Sequence, residues 1–103
     1  MTQGDLFRDE AIDRVEENAD REWRKLALAT IEDSAWIFRT ITTDDIWTIL
    51  DRSIYSTHDN RAMGAVMRKA QTNGWIEPTD RVVKSTRAVC HSRPIRVWRS
   101  RLI

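Results

Sequence analysis

The sequence predicts a mainly helical α+β domain with a small antiparallel sheet, and three observations support this fold class. Apolar residues recur at helical spacing through most of the first 35 residues. Helix-start signals at Thr42 and Asp59 each precede an amphipathic segment. The C-terminal part is rich in arginine and β-branched residues, and apolar and polar residues alternate in it. A length of 103 residues fits a single domain.

The N-terminal segment carries an apolar stripe at spacings of three and four residues, which is typical of an amphipathic helix. The stripe consists of Phe7, Ala11, Val15, Ala19, Trp23, Leu26 and Thr30, with Leu6 and Ile12 beside its first part. Asp5 is the predicted N-cap. One helix to about Ser34 fits the stripe, but residues 18–20 can also end one helix and cap the next. Two helices are the favoured interpretation.

Residues 36–41, WIFRTI, are β-branched and aromatic, which predicts the end of this helix and then a short strand. Thr42 and Asp45 form a predicted capping box, with Asp in place of the more usual Glu or Gln. They open a second helix over about 43–51. Its expected buried residues are Ile46, Trp47, Ile49 and Leu50. Residues 52–58 are a predicted turn that places Ile54 or Tyr55 against the core.

A central helix is predicted between Asp59, its N-cap, and Gly74, which suits the left-handed conformation that ends many helices. The predicted inner face consists of Met63, Val66, Met67 and Ala70. The predicted outer face consists of Arg61, Arg68, Lys69, Gln71 and Thr72. Gly64 costs about 1 kcal/mol of helix propensity relative to alanine. This cost predicts a close crossing by the helix over 43–51.

Two strands are predicted after the central helix. The first covers residues 75–79, with Pro78 at a sheet edge or a strand end, and Val82-Val83 can extend it. The second covers residues 94–99, where Ile95 and Val97 alternate with polar or amphipathic neighbours. Residues 80–93 connect the two strands.

Charge is distributed asymmetrically, although the net charge is only +1. Residues 1–33 hold five basic and ten acidic side chains, a net charge of −5. Residues 61–103 hold ten basic and two acidic side chains, a net charge of +8. A basic C-terminal part predicts one surface that meets a polyanion. The alternative is a solvated surface on which basic residues cluster by chance.

Nucleic-acid contacts need cations and neutral hydrogen-bond donors on one surface, with small side chains where a helix enters the major groove. On and beside the central helix, the candidate residues are Asn60, Arg61, Ala65, Arg68, Lys69 and Thr72. In the hairpin region, they are Arg81, Lys84, Ser85, Arg87, His91, Arg93 and Arg96. The alternative is that these residues only solvate an amphipathic helix and a basic strand.

The sequence contains no recognisable catalytic or metal-binding constellation. His58 and His91 are far apart, and Cys90-His91 supplies too few ligands for zinc. A helix N-terminus explains the paired acids Asp44-Asp45. We therefore predict a protein that is not an enzyme and uses no cofactor or metal. The single cysteine and the absence of a membrane-length apolar run predict a cytoplasmic protein.

Residues 42–100 resemble the winged helix-turn-helix domains of small bacteriophage and prophage proteins. The matching segments are TTDDIWTILD, THDNRAMGAVMRKAQTNGWIEPT and SRPIRVWRS. The resemblance covers a little over half of the chain. It implies double-stranded DNA binding, with the central helix in the major groove and the hairpin as the wing. Residues 36–103 would then be the winged helix-turn-helix and residues 1–35 an acidic helical extension.

Two functions follow as expectations. The first is non-enzymatic DNA binding in transcriptional control or phage DNA transactions. The second is a protein-interaction adaptor that binds a host or phage protein with the same fold. The acidic residues 5–35 are expected to pair with a second copy, giving a homodimer that reads two half-sites. The rival arrangement is a monomer in which the N-terminal helix folds back on its own domain.

Overall fold

The computed structural model describes residues 3–51 and 61–103, which form three α-helices and a three-stranded antiparallel sheet. This arrangement confirms the α+β class. The elements are α1 (Gln3–Ile37), β1 (Thr40–Ile41), α2 (Thr43–Leu50), α3 (Ala62–Thr72), β2 (Ile76–Lys84) and β3 (Pro94–Ser100). A short 3-10 turn, Ala88–Cys90, lies between β2 and β3. In this part of the chain, no helix combines the length and the apolarity that a membrane crossing requires.

The prediction of two helices in the N-terminal segment is wrong, because α1 runs unbroken for 35 residues. Residues 18–20 include neither glycine nor proline, and Asn and Asp cost less than about 1 kcal/mol each inside a helix. Asp5, the predicted N-cap, lies inside α1, which begins at Gln3. At about 1.5 Å per residue, the helix is about 52 Å long. It therefore spans most of the molecule's longest dimension of 55 Å.

The capping box at the start of α2 is confirmed. The Asp45 N–H donates to Thr42 Oγ1 at 3.3 Å, and the Thr42 N–H donates to Asp45 Oδ2 at 2.9 Å. Of the residues predicted to be buried in this helix, Ile46 and Leu50 are buried and Trp47 is half-buried. Ile49 is 47% exposed, so its predicted burial is wrong. It lies about 100° around the helix from Leu50, away from the packed side.

The inner face predicted for the central helix is confirmed, since Met63, Val66, Met67 and Ala70 are all buried. The helix stops as expected at Gly74, whose φ is 81°. The Gly74 N–H donates to Gln71 O at 2.9 Å, and the Trp75 N–H donates to Ala70 O at 3.1 Å, which is the Schellman pattern. Asp59 and the predicted turn at 52–58, with Ile54 and Tyr55, lie outside the described residues.

Gly64 does not mark a close helix crossing, and that prediction is wrong. A Cβ atom added there would meet no atom within 4 Å, and the residue is exposed. The residues of α3 that pack on the core are Met63, Val66, Met67 and Ala70. The glycine therefore lowers helix propensity without any packing benefit.

The sheet has the order β1-β3-β2, so β2 and β1 are its edge strands. β3 pairs antiparallel with both, through Thr40↔Arg99 on one side and Ile76↔Ser100 on the other. Pro78 lies in edge strand β2, as predicted, and the pairing is irregular between Pro78 and Val82. The strand continues through Val82 and Val83 to Lys84.

One hydrophobic core joins all three helices to the sheet. It contains Trp23, Ala27, Ile31 and Ala35 from α1, with Ile41, Ile46, Leu50, Met63, Val66, Met67, Ala70 and Ile76. The rings of Trp23 and Trp47 are 5.5 Å apart, centroid to centroid. Since Trp23 is buried in this core, the second half of α1 is part of the domain's packing.

Candidate nucleic-acid interface

The outer face of α3 presents the residues that the sequence assigns to it. Arg61, Ala65, Arg68 and Thr72 are exposed and follow one another at spacings of four, three and four residues. This spacing places them on one side of the helix. The Thr72 hydroxyl donates to Arg68 O at 3.0 Å within the helix. Asn60 lies outside the described residues.

The hairpin of β2 and β3 adds a second group of exposed cations: Arg81, Lys84, Arg93 and Arg96. Within the described ranges, neither these four residues nor Arg68 and Lys69 of α3 form an ion pair. Arg99 differs from them, because Glu77 on the neighbouring strand binds its guanidinium. Six basic side chains therefore carry charge that no described acid compensates.

Ser85 lies in the hairpin but does not present its hydroxyl to a ligand. The residue is 4% exposed, and its Oγ donates to both carboxylate oxygens of Asp44, at 2.9 and 3.0 Å. The Thr86 N–H donates to Asp44 Oδ2 at 2.7 Å. The sequence-based assignment of Ser85 to phosphate contact does not fit this burial. Asp44 instead attaches the end of β2 to the start of α2.

Arg87 reinforces this attachment. Its guanidinium carbon lies 4.4 Å from the centroid of the Trp47 ring on α2, a cation–π contact. Its backbone N–H donates to Ser85 Oγ at 3.2 Å. Arg87 is half-buried by these contacts, so it holds the hairpin in place and offers less of its charge to a ligand.

His91 lies in the turn that follows the 3-10 segment, and it is exposed. Its φ is 47° and that of Ser92 is 60°, which are left-handed values uncommon for residues other than glycine. The Arg93 N–H donates to Cys90 O at 2.8 Å and closes the turn. His91 and Arg93 therefore both lie in the turn that connects β2 to β3, and both are exposed.

A groove between α1 and α3 was not anticipated from the sequence. It is lined by Arg24, Leu28, Ala65, Val66 and Lys69 and has a volume of about 130 Å³. Its floor is apolar and its rim carries two cations. Arg24 thus joins the basic surface of α3, although it lies in the acidic part of the sequence. No local signal could have shown this, because the groove depends on how two distant helices pack.

A second cavity, of about 260 Å³, is lined by Phe38, Thr40, Asp45, Thr48 and Ile49. Near it in the chain, Trp36 and Ile37 are 58% and 67% exposed. Large apolar side chains at such exposure often mark an interaction surface.

No group of three or more His, Cys, Asp or Glu residues that could hold a metal ion occurs in the described part of the chain. His58 lies outside it.

Comparison with known proteins finds no matching family profile, no similar curated protein and no similar solved structure.

Proposed function

We propose that the protein binds double-stranded DNA and catalyses no reaction. α3 would enter the major groove, and the hairpin of β2 and β3 would lie against the sugar–phosphate backbone. The observation that carries the proposal is the set of six exposed cations without an ion-pair partner among the described residues: Arg68, Lys69, Arg81, Lys84, Arg93 and Arg96. Phosphates would supply the missing counter-charge.

The order of the elements supports the same proposal. A helix, a short strand, two helices and a two-stranded hairpin follow one another in the chain, as they do in a winged helix-turn-helix. In that fold, the second helix of the helix-turn-helix lies in the major groove. α3 holds this place in the order, and its exposed Ala65 leaves room for base edges. Transcriptional control or phage DNA transactions, in the cytoplasm, are the roles that such binding would serve.

A salt titration of binding to duplex DNA tests the proposal. If about six phosphates are neutralised, log K falls with log salt concentration at a slope near −5. Arg93→Ala should weaken binding to all sequences alike and reduce the slope by about 1. Lys25→Ala is the control, because Lys25 lies on α1 and pairs with Glu22. No duplex binding at low salt would refute the proposal.

Arg61 has a separate predicted role at the start of α3. If its side chain reaches a guanine edge, Arg61→Ala costs about 1–3 kcal/mol of binding free energy and relaxes the preference at one base pair. The measurement is a competition assay against single-base variants of a selected site. A uniform loss on every sequence would instead make Arg61 a phosphate contact.

The exposed apolar surface beside the 260 Å³ cavity favours a second candidate function, an adaptor that binds a host or phage protein. This surface contributes apolar area where a nucleic-acid ligand needs charge. The double change Phe38→Ser and Ile49→Ser separates the two functions. It should leave duplex binding and its salt slope unchanged, and it should abolish binding to a protein partner.

A further inference from the structure

We infer that two copies of this chain associate at the open edge of β1, with their β1 strands antiparallel and a two-fold axis at Thr40. The surface that each copy contributes consists of residues 36–40 and of the α2 residues that line the 260 Å³ cavity, Asp45, Thr48 and Ile49. We call it the β1-edge surface. None of its residues is among the proposed DNA contacts, so the association does not depend on DNA binding.

Four large apolar side chains of the β1-edge surface are exposed. Trp36 is 58% exposed, Ile37 67%, Phe38 54% and Ile49 47%, and none of them belongs to the core or packs against it. Large side chains exposed by about half present about 100 Å² each, which gives about 400 Å² per copy. A standard interface covers about 800 Å² per partner, about 60% of it apolar. The exposed apolar area is therefore close to what a stable dimer needs.

The rest of α1 offers no such surface among its described side chains. Of the predicted apolar stripe, Trp23 and Thr30 are buried, and Leu26 packs against the chain's own core. The side chains of the stripe up to residue 19 lie outside the described residues, so the pairing predicted for residues 5–35 stays a prediction. The large exposed apolar side chains described in α1 all lie in its last turn.

The backbone of Thr40 faces the open side of the sheet. β1 pairs with β3 alone, and the Ser100 N–H donates to Arg39 O at 2.8 Å. Because the N–H and C=O groups of successive strand residues point to opposite sides, those of Thr40 point away from β3. With a two-fold axis at this residue, each Thr40 N–H donates to the Thr40 carbonyl of the other copy.

This backbone pairing is limited to one residue from each copy, because the neighbouring N–H groups already have acceptors. The Phe38 N–H donates to Ser34 O at 2.8 Å, and the Thr42 N–H donates to Asp45 Oδ2 at 2.9 Å. Two main-chain hydrogen bonds therefore set the direction and the register, and the apolar side chains supply most of the stability. The other edge strand, β2, contains Pro78 and several charged residues, which oppose edge pairing.

The register brings complementary groups together twice. Phe38 of each copy lies opposite Thr42 of the other, beside the cavity wall that Asp45 and Ile49 form. Arg39 is exposed and forms no ion pair with a described residue. It approaches Asp45 of the other copy, because α2 begins directly after the paired strand. A second copy thus supplies the acid, the cation and the backbone pair from one surface, as a two-fold interface requires.

The test uses the full chain in sedimentation velocity at micromolar concentration, where the expected mass is twice the 12.1 kDa of one chain. Thr40→Pro should raise the dimer dissociation constant about tenfold or more, because proline removes the N–H that donates across the axis. Thr40→Val is the matched control, since it keeps this N–H and the branched side chain, and it should stay within about threefold. A monomeric original chain, or a Thr40→Pro dimer as tight as the original, overturns the inference.

A second variant leaves the backbone of β1 unchanged, so it separates association from any effect of proline on folding. Ile49→Glu should raise the dissociation constant about tenfold or more, because it brings a charge into the apolar contact twice. Val82→Glu is its control, since Val82 is also exposed but lies in the hairpin, and it should stay within about threefold. Thermal melts verify that each variant is folded. A dimer that Ile49→Glu leaves unchanged places the association elsewhere and overturns the inference.

The position of the axis is tested by oxidation of Thr40→Cys in a Cys90→Ser background. Residues paired across the axis have Cα atoms about 5.5 Å apart, which a disulfide spans, so a linked dimer is expected. Ala29→Cys in the same background is the control, because Ala29 is exposed on α1 outside the β1-edge surface. No linked dimer from Thr40→Cys, or equal linkage from both variants, contradicts the inference.

The same measurements bear on the two candidate functions separately. A second copy on the β1-edge surface takes the place of a host or phage protein, so a confirmed dimer argues against the adaptor. A chain that stays monomeric leaves this surface to the adaptor. Duplex binding, measured on the same variants, reports on the proposed DNA binding alone.

Discussion

At the scale of single residues, Asp44 connects parts of the chain that are far apart in sequence. Its carboxylate accepts hydrogen bonds from the Ser85 hydroxyl and from the Thr86 backbone and side chain. Hydrogen bonds to a charged group contribute about 1.5–3 kcal/mol. Asp44→Ala should therefore lower the free energy of unfolding by about 2–3 kcal/mol, because it also leaves the buried Ser85 hydroxyl without this acceptor. Urea denaturation measures the change.

Asp33→Ala is the matched control, since Asp33 is exposed and makes no described hydrogen bond. Its effect should stay within about 0.5 kcal/mol. If Asp44→Ala changed the free energy of unfolding as little as Asp33→Ala does, the contacts of Asp44 with Ser85 and Thr86 would contribute nothing measurable to stability.

The neighbouring acids Asp44 and Asp45 show what a sequence can and cannot reveal about the role of a residue. The role of Asp45 was predictable, because a capping box needs only Thr42 three residues earlier and a fixed backbone geometry. The role of Asp44 was not predictable, because its partners lie 41 and 42 residues away. For the same reason, Ser85 looked like an ordinary neutral residue of a basic loop.

At the scale of elements, α3 contains a glycine that can be replaced and is followed by one that cannot. Gly64→Ala should raise the free energy of unfolding by about 1 kcal/mol, since alanine is the better helix former and its Cβ meets no atom. Gly74→Ala should lower it by about 1 kcal/mol, because a φ of 81° is strained for any residue with a side chain. Thermal unfolding of the two variants, side by side, compares these effects. A lower free energy of unfolding for Gly64→Ala would contradict this prediction, because it would mean that the added methyl group meets a neighbouring atom.

The elements differ in how far sequence could place them. The inner face of α3 was predictable because four apolar residues repeat with helical spacing over about two turns. In α2, four apolar residues occupy half of an eight-residue helix, so spacing alone could not decide that Ile49 faces outward. Residues 18–20 carry weak cap signals, and helix continuity overrides signals of that size.

At the scale of the whole molecule, the second half of α1 packs in the core through Trp23, Ala27, Ile31 and Ala35. The radius of gyration is 16.5 Å, whereas a compact chain of this length would have about 13 Å. Deletion of residues 1–19 should therefore leave a folded domain with the same near-ultraviolet circular dichroism. Deletion of residues 1–35 should abolish cooperative unfolding, because it removes Trp23, Ala27, Ile31 and Ala35 from the core.

Both deletions are compared with the full chain in thermal melts. A cooperative melt from the shorter product, which begins at residue 36, would show that the C-terminal part folds alone. This boundary was the one that the resemblance to a winged helix-turn-helix implied, with an acidic extension before it. Charge identifies a surface, whereas the limits of a core depend on which residues meet in space. The sequence could therefore indicate an acidic N-terminal region but not that half of it is core.

The contact between Trp23 and Trp47 gives the molecule an optical signature of its own. Two indoles whose centroids are 5.5 Å apart, with planes inclined at 35°, couple their electronic transitions and should produce a split circular dichroism band. Because Arg87 lies against the second ring, displacement of the hairpin would change that ring's polarity and its emission. The protein should thus report, without any added dye, both the seating of α2 on α1 and the attachment of the hairpin.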